Sequence, residues 1–120
     1  MARILSISYD ERLLGIREAL LRNAGHEVMS AEGFSRALHL CDLHNAGIDL
    51  IMLGHSIPHG DKTEMVRFCR KNCTCPVVAL LRLGEPLVEG ADRSIDPDPG
   101  TILATVTEVL ADRQEHIVKR

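Results

Sequence analysis

Aromatic residues are almost missing from this 120-residue chain, which has one Tyr, two Phe and no Trp. Single-stranded nucleic acid is held on platforms of several stacked aromatics, so the shortage argues against that class of partner. Basic charge is not in excess either, because 14 Lys and Arg stand against 17 Asp and Glu for a formal net charge of -3. Such a balance provides no electrostatic footprint for DNA, and direct binding of nucleic acid is not expected. No apolar run is long enough to span a bilayer, and the amino terminus lacks the basic, apolar and small-residue series of a signal peptide. A cytoplasmic protein without membrane contact is expected. The cysteines, Cys41, Cys69, Cys73 and Cys75, have no secreted context that would make them a disulfide framework, and they are expected to be reduced.

What is present suits one globular domain over residues 1–120. Apolar residues make up 45% and charged residues 26%, and a chain of this length buries a core without help from metals or disulfides. Ile4 to Ser8 reads as a short strand. Asp10 then stands as a helix cap ahead of Leu13, Ile16, Leu20 and Ala24 at helical spacing, and Gly25 stops that helix. Glu27 to Ser30 is a second strand. A helix follows from Ser35 to Asn45, with Ala37, Leu38, Cys41 and Leu43 or His44 on its stripe, closed by Gly47. Asp49 to Leu53 is the third strand. The helix from Lys62 to Lys71 places Met65, Val66 and Cys69 inward and Arg67, Arg70 and Lys71 outward. Pro76 to Leu81 is a fully apolar fourth strand that tolerates proline at its first residue.

Beyond Leu81 the pattern weakens. Gly84, Pro86 and Gly90 leave no room for a regular helix between Arg82 and Gly90. Arg93-Ser94-Ile95 is a poor fifth strand, and the last helix carries Ile102, Val106, Val109 and Leu110 inward before a charged tail from Asp112. This alternation predicts an α/β fold with a doubly wound parallel sheet of flavodoxin-like (βα)5 type, strand order 2-1-3-4-5, with the fourth helix shortened or missing.

The stretch from Ile48 to Lys62 organises the chain. The buried run Leu50-Ile51-Met52-Leu53 breaks into Gly54, Pro58 and Gly60, so a strand delivers a loop to the carboxyl edge of the sheet, where ligands and chemistry usually sit. The loop brings no carboxylate at the strand tip, only Gly54 followed by His55.

Several features in this order resemble the receiver domain of two-component response regulators: Arg3-Ile4-Leu5, Ala24-Gly25-His26-Glu27-Val28, Asp49-Leu50-Ile51-Met52-Leu53, Ser56-Ile57-Pro58 with Asp61, Pro76-Val77-Val78 and Gly90-Ala91-Asp92. The resemblance implies phosphoryl transfer to a strand-tip Asp, a Mg²⁺ held by an acidic pair after the first strand, a hydroxyl after the fourth strand and a Lys after the fifth. Carried over residue by residue, the nucleophile position falls on Gly54 and the acidic pair on Ser8 and Tyr9, with Asp10 beyond them. The hydroxyl position falls on Leu81 and the Lys position, read through Pro97, on Asp96. A one-residue shift would make Tyr9 and Asp10 the metal pair, still with one carboxylate. The implied protein is a degenerate "pseudo-receiver" that is not an enzyme, with Mg²⁺ binding absent or weak and no other cofactor.

His55, Ser56, Pro58, His59 and Asp61 then form a contact loop, with the two histidines read as exposed and without a carboxylate partner. Tyr9 is expected to pack beside Gly54 in the volume left by the missing carboxylates. The first loop, Ser8-Tyr9-Asp10-Glu11, cradles no phosphate and the D-x-H-x-x-G pattern is absent, so neither flavin nor cobalamin is supported. The function expected is a phosphorylation-independent protein-interaction module in bacterial signal transduction. Its partner class is a histidine kinase, another receiver or an output domain, and a homodimer is left open although the curtailed fourth helix removes part of the family's dimer face. The competing class is a thiol- or metal-responsive sensor using Cys69, Cys73, Cys75 or the loop histidines, with Cys73 and Cys75 the more exposed thiols.

Overall fold

The structure is a computed structural model that describes residues 2–44 and 47–118. Five strands, β1 (Arg3–Ser8), β2 (Glu27–Glu32), β3 (Leu50–Leu53), β4 (Val77–Leu80) and β5 (Arg93–Ile95), alternate with helices α1 (Glu11–Asn23), α2 (Phe34–His44), α3 (His59–Asn72) and α4 (Pro99–Val118). The strands form one parallel sheet in the order β2-β1-β3-β4-β5, the flavodoxin-like topology expected from the alternation. No helix separates β4 from β5. Among the described residues no helix is long and apolar enough to cross a membrane.

Because side chains alternate along a strand, the central strands feed two cores. Leu5, Ile7, Ile51, Leu53, Val77 and Ala79 face α2 and α3, where Ala37, Cys41, Met65, Val66 and Cys69 meet them. Ile4, Leu50, Met52, Val78 and Leu80 face the other way, onto Leu21 of α1 and Ile102, Val106 and Val109 of α4. The expected inward stripes of α3 and α4 are the observed ones, except that Leu110 is only partly buried. Asn45 of the second expected helix lies outside the described residues, as do the side chains of Leu43 and His44.

The first helix corrects the sequence reading. Its buried residues are Leu14, Arg17 and Leu21, while Ile16 is 65% exposed. The segment offers Leu-Leu pairs at 13–14 and 20–21, so two stripes one residue apart are nearly equal in apolar content, and hydropathy favoured the one without an arginine. The helix is rotated so that Arg17 turns inward. Asp10 caps this helix as expected, accepting from the Arg12 and Leu13 N–H groups. Gly25 follows with φ +96°, a left-handed stop that a residue with a Cβ adopts only under strain.

The segment 81–92 closes the gap left by the absent helix. Arg70 of α3 donates to the Gly90 carbonyl through Nε at 3.0 Å and Nη2 at 2.7 Å. It also reaches Asp92 Oδ2 at 2.6 Å, and that carboxylate in turn accepts from the Val77 N–H at 2.7 Å. Gly90 takes φ +88° with its Cβ direction only 3.0 Å from Val66 Cγ1, so no other residue fits there without displacing the core. Val88 is buried, whereas Leu83 and Leu87 are fully or largely exposed.

The orientation of α1 is testable by truncation. Leu14→Ala is expected to cost about 3 kcal/mol of unfolding free energy and Ile16→Ala less than about 0.5 kcal/mol. Denaturant unfolding of the two variants gives the comparison, and equal costs would contradict the observed rotation.

Candidate functional site

Gly54 ends β3 at the carboxyl edge of the sheet, buried, with its N–H donating to the Ile7 carbonyl of the neighbouring strand at 2.8 Å. A Cβ there would lie 3.0 Å from Arg17 Nη1, 3.0 Å from the Ile7 carbonyl oxygen and 3.2 Å from Ser8 Cβ. The position is therefore enclosed by a backbone carbonyl and a guanidinium. Arg17 itself is only 5% exposed. It is the α1 residue that the rotated stripe brings inward, and it occupies the space for which the sequence reading nominated Tyr9. Tyr9 is 41% exposed and points elsewhere, its hydroxyl donating to Asp61 Oδ2 at 2.9 Å. Desolvation, followed by the hydrogen bond and charge of Asp61 and the charge of Glu64, raises the Tyr9 pKa.

The remaining expected positions are disposed as follows. Ser8 is buried, and its Oγ accepts from the Asp10 N–H and shares a 3.2 Å hydrogen bond with Ser56 Oγ. Asp10 is engaged as the cap of α1. Leu81 is buried and bonded through its N–H to the Ile95 carbonyl, so a hydrocarbon side chain stands at the end of β4. Asp96 is exposed beyond β5, and among the described residues no hydrogen bond joins it to the cluster around Gly54. Pro58 is exposed and precedes α3 without a capping side chain.

His55 is held from both ends. Its carbonyl accepts from Lys62 Nζ at 3.3 Å and Arg82 Nε at 3.1 Å. Its ring Nδ1 accepts from Arg17 Nη2, which makes the ring neutral with its proton on Nε2. Arg82 also donates through Nη2 to the Ser56 carbonyl. Burial and the charges of Arg17, Lys62 and Arg82 push the His55 pKa down, with only Asp10 acting the other way. Neither histidine is a free loop residue: His59 opens α3, half-buried, and its Nδ1 contacts Glu85 Oε2 at 2.9 Å. The sequence reading missed that carboxylate because it arrives from the irregular segment after β4, more than twenty residues away.

Glu85 is also the partner of the most enclosed charge among the described residues. Lys62 lies on the core stripe of α3, is 0% exposed, and places Nζ 2.6 Å from Glu85 Oε1. Glu85 Oε1 accepts in addition from the Arg82 N–H at 2.9 Å. Burial opposes ionisation of Glu85, but the Arg82 N–H, Lys62 and His59 together outweigh it and hold its pKa below the carboxylate norm. For Lys62 the balance is opposite, since burial, with the charges of Arg82 and Arg17, lowers its pKa by more than Glu85 restores. The two directions describe one tight pair: the carboxylate gains from the contact while the ammonium bears the cost of leaving water, and we take the pair as ionised at neutral pH. Arg17 has no such partner. Desolvation lowers its pKa against the pull of Asp10, and its Nη1 is buried with no hydrogen-bond partner among the described residues.

Arg17 and Lys62 were both legible in principle. Lys62 stands at i, i+3, i+4 and i+7 with Met65, Val66 and Cys69, and Arg17 stands between Leu14 and Leu21 at the corresponding spacing. A cation on a core stripe is a signal for a buried charge.

These residues do not fit a hard divalent cation. Such an ion needs several oxygen donors. Here a guanidinium lies against the strand tip, two hydroxyls are bonded to each other, and Asp10 is turned to its helix. Among the described residues no group of three or more His, Cys, Asp or Glu is arranged to hold a metal ion. The thiols belong to the core: Cys69 is 4% and Cys75 2% exposed, correcting the expectation that Cys75 is accessible, while Cys73 is half-buried. Burial, then nearby thiols, pushes Cys69 up to about 12 and Cys75 up to about 11, so neither is a thiolate at neutral pH.

No protein-family model and no curated relative matches the sequence. Solved structures do match. The receiver domain of the Francisella response regulator 1452 superposes with a TM-score of 0.80 at 20% identity, covering 94% of this chain and 99% of that one. A response regulator receiver domain protein from Clostridium thermocellum gives 0.78 at 17% identity, with 95% and 98% covered. A two-component response regulator from Clostridium difficile gives 0.76 at 23% identity over the same shares of the two chains. The chain thus has the fold of response-regulator receiver domains, carried by a sequence in which glycine and arginine meet at the tip of the third strand.

Proposed function

We propose that this chain is a phosphorylation-independent, receiver-like interaction module of bacterial signal transduction, working in the cytoplasm on a protein partner such as a histidine kinase, another receiver or an output domain. It is not an enzyme in this reading and needs no Mg²⁺. The observation that carries the proposal is the Arg17 guanidinium packed against Gly54. An in-line attack on a phosphoryl donor needs a nucleophile at the strand tip and a set of acidic donors able to hold a cation against the transferred oxygens. The chain has neither, and an internal cation occupies the ground between them. The competing sensor reading has less support, because the thiols of Cys69 and Cys75 are buried and held protonated.

A module without a phosphorylation switch needs another means of fixing its surface. The Lys62–Glu85 pair, with Arg82 and His59, binds the β3–α3 connection to the segment after β4 by hydrogen bonds that require no phosphoryl group. This supports a surface presented in one state.

Incubation with acetyl phosphate and Mg²⁺ is expected to leave the intact mass unchanged for the native protein and for Gly54→Asp, whose new carboxylate meets Arg17 instead of a metal. An added phosphoryl group on the native chain would overturn the proposal. In chemical denaturation Glu85→Gln is expected to lose about 3 kcal/mol, because it leaves Lys62 buried without its counter-charge, whereas Arg17→Met should gain about 1 kcal/mol.

The pH dependence follows from the same groups. A histidine whose folded pKa is depressed stabilises the fold above its unfolded value and loses that contribution as protonation is forced. Melting temperature is therefore expected to fall first below the ordinary histidine value of 6.5. A second loss should begin below the ordinary glutamate value of 4.5, as Glu85 is protonated. His26, also depressed by burial and the N-terminal charge, contributes to the first loss. The difference between native protein and His55→Gln isolates the His55 share, and identical melting profiles from about pH 7 to about pH 5 would contradict it.

A further inference from the structure

The charges around the His55 ring do not balance. Arg17, Lys62 and Arg82 converge on His55 from α1, α3 and the segment after β4. Against them stand Glu85, already shared by Lys62 and His59, and Asp10, which is bonded to the first turn of α1. Arg17 is the unresolved member. Of its two terminal nitrogens, Nη2 is bonded to a neutral imidazole and Nη1 is buried with no partner among the described residues. A buried guanidinium with an open donor is costly, and a neutral ring nitrogen is a weaker acceptor for it than an oxyanion.

From this arrangement the geometry points to a binding site for a small oxyanion of the sulfate or phosphate kind, in which the anion takes the place of the His55 ring on the Arg17 guanidinium. The ring is suited to leaving. It is half-buried, its one hydrogen bond among the described residues is the one to Arg17, and it sits on a connection whose backbone stays anchored by Lys62 and Arg82 through the carbonyl. With the ring swung out, the anion accepts from Arg17, with the cationic groups of Arg82 and Lys62 adjacent. The anion is bound without covalent chemistry, so the site is compatible with the absence of a phosphoacceptor and does not rest on it. The His55 ring serves as a placeholder for the ligand.

Proton linkage distinguishes this site from general salt effects. The groups facing His55 are Arg17, Lys62, Arg82 and Asp10. Protonation turns Nδ1 from an acceptor into a donor, which cannot remain against the guanidinium, so proton uptake and anion entry favour each other.

Sulfate is the probe, because it does not titrate near neutral pH and transfers no phosphoryl group. Titrated at constant ionic strength into the isotopically labelled native chain, it is expected to produce saturable amide shifts at Gly54, His55 and Ser56. The expected dissociation constant is about 1 mM, tightening about threefold from about pH 7.5 to about pH 5.5. Arg17→Met should abolish the saturable component. His55→Ala should keep or tighten binding while losing its pH dependence, so it tests the site independently of the Arg17 variant. Non-saturating shifts in the native chain, equal shifts in native and Arg17→Met proteins, or loss of binding in a folded His55→Ala would each overturn the site.

Discussion

The placement of Lys62 constrains everything around the carboxyl edge of the sheet. Its ammonium has no exposed surface, and a charge in that position survives only when an opposite charge is brought to it with good geometry. Glu85 does so, and to do so it must come inward from a stretch that has no secondary structure. Arg82, three residues before it, is thereby directed over the backbone of His55 and Ser56, and His59 is drawn into the same carboxylate. One buried cation thus sets the course of two connections that are distant in sequence. The result is a rigid polar cluster beside a sheet that is otherwise packed with hydrocarbon.

Most of the fold was legible because hydropathy patterns report on packing. The central strands are apolar on both faces, and the parallel order follows once helices must cover each side. The absent fourth helix was visible in Gly84, Pro86 and Gly90. Less was legible at the site. The identity of Gly54 at the strand tip could be read directly, but what fills the space beside it could not. Two leucine pairs allow α1 to be placed in either of two rotations, and average hydropathy selects against the one that buries Arg17. The long-range pairing of Glu85 with Lys62 and His59 left no local pattern at all. Charge pairing across a turn is decided in three dimensions, after the strands are assembled. The cysteines illustrate the reverse error, since Cys75 lies in a short polar-looking connection yet is buried under the sheet.

Set beside the receiver domains whose fold it shares, the chain differs in the sign of the charge at one edge more than in its architecture. The acidic pocket implied by the resemblance concentrates negative charge and needs a divalent cation to stabilise it. Here the corresponding ground holds a guanidinium, a neutral histidine, two serines that satisfy each other and one aspartate diverted to a helix cap. The scaffold tolerates the inversion because the site is built from loops at the strand ends, where side chains change without disturbing the layers beneath.

The unsupported segment after β4 bears on conformational entropy. A long connection with no helix or strand, only isolated turns, carries a large unfolded-state freedom, and fixing it into one path opposes folding. The inward contact of Glu85 divides the segment into two shorter spans, one from the end of β4 and one running on to Val88 and the Arg70 clamp at Gly90. Each span is short enough to be fixed by its ends. Order in this part of the molecule therefore rests on a few anchors: the Glu85 carboxylate for the first span, and buried Val88 with the Arg70 clamp for the second. The two exposed leucines fall on opposite sides of that carboxylate, Leu83 in the span that depends on its charge and Leu87 in the span tied down by Val88.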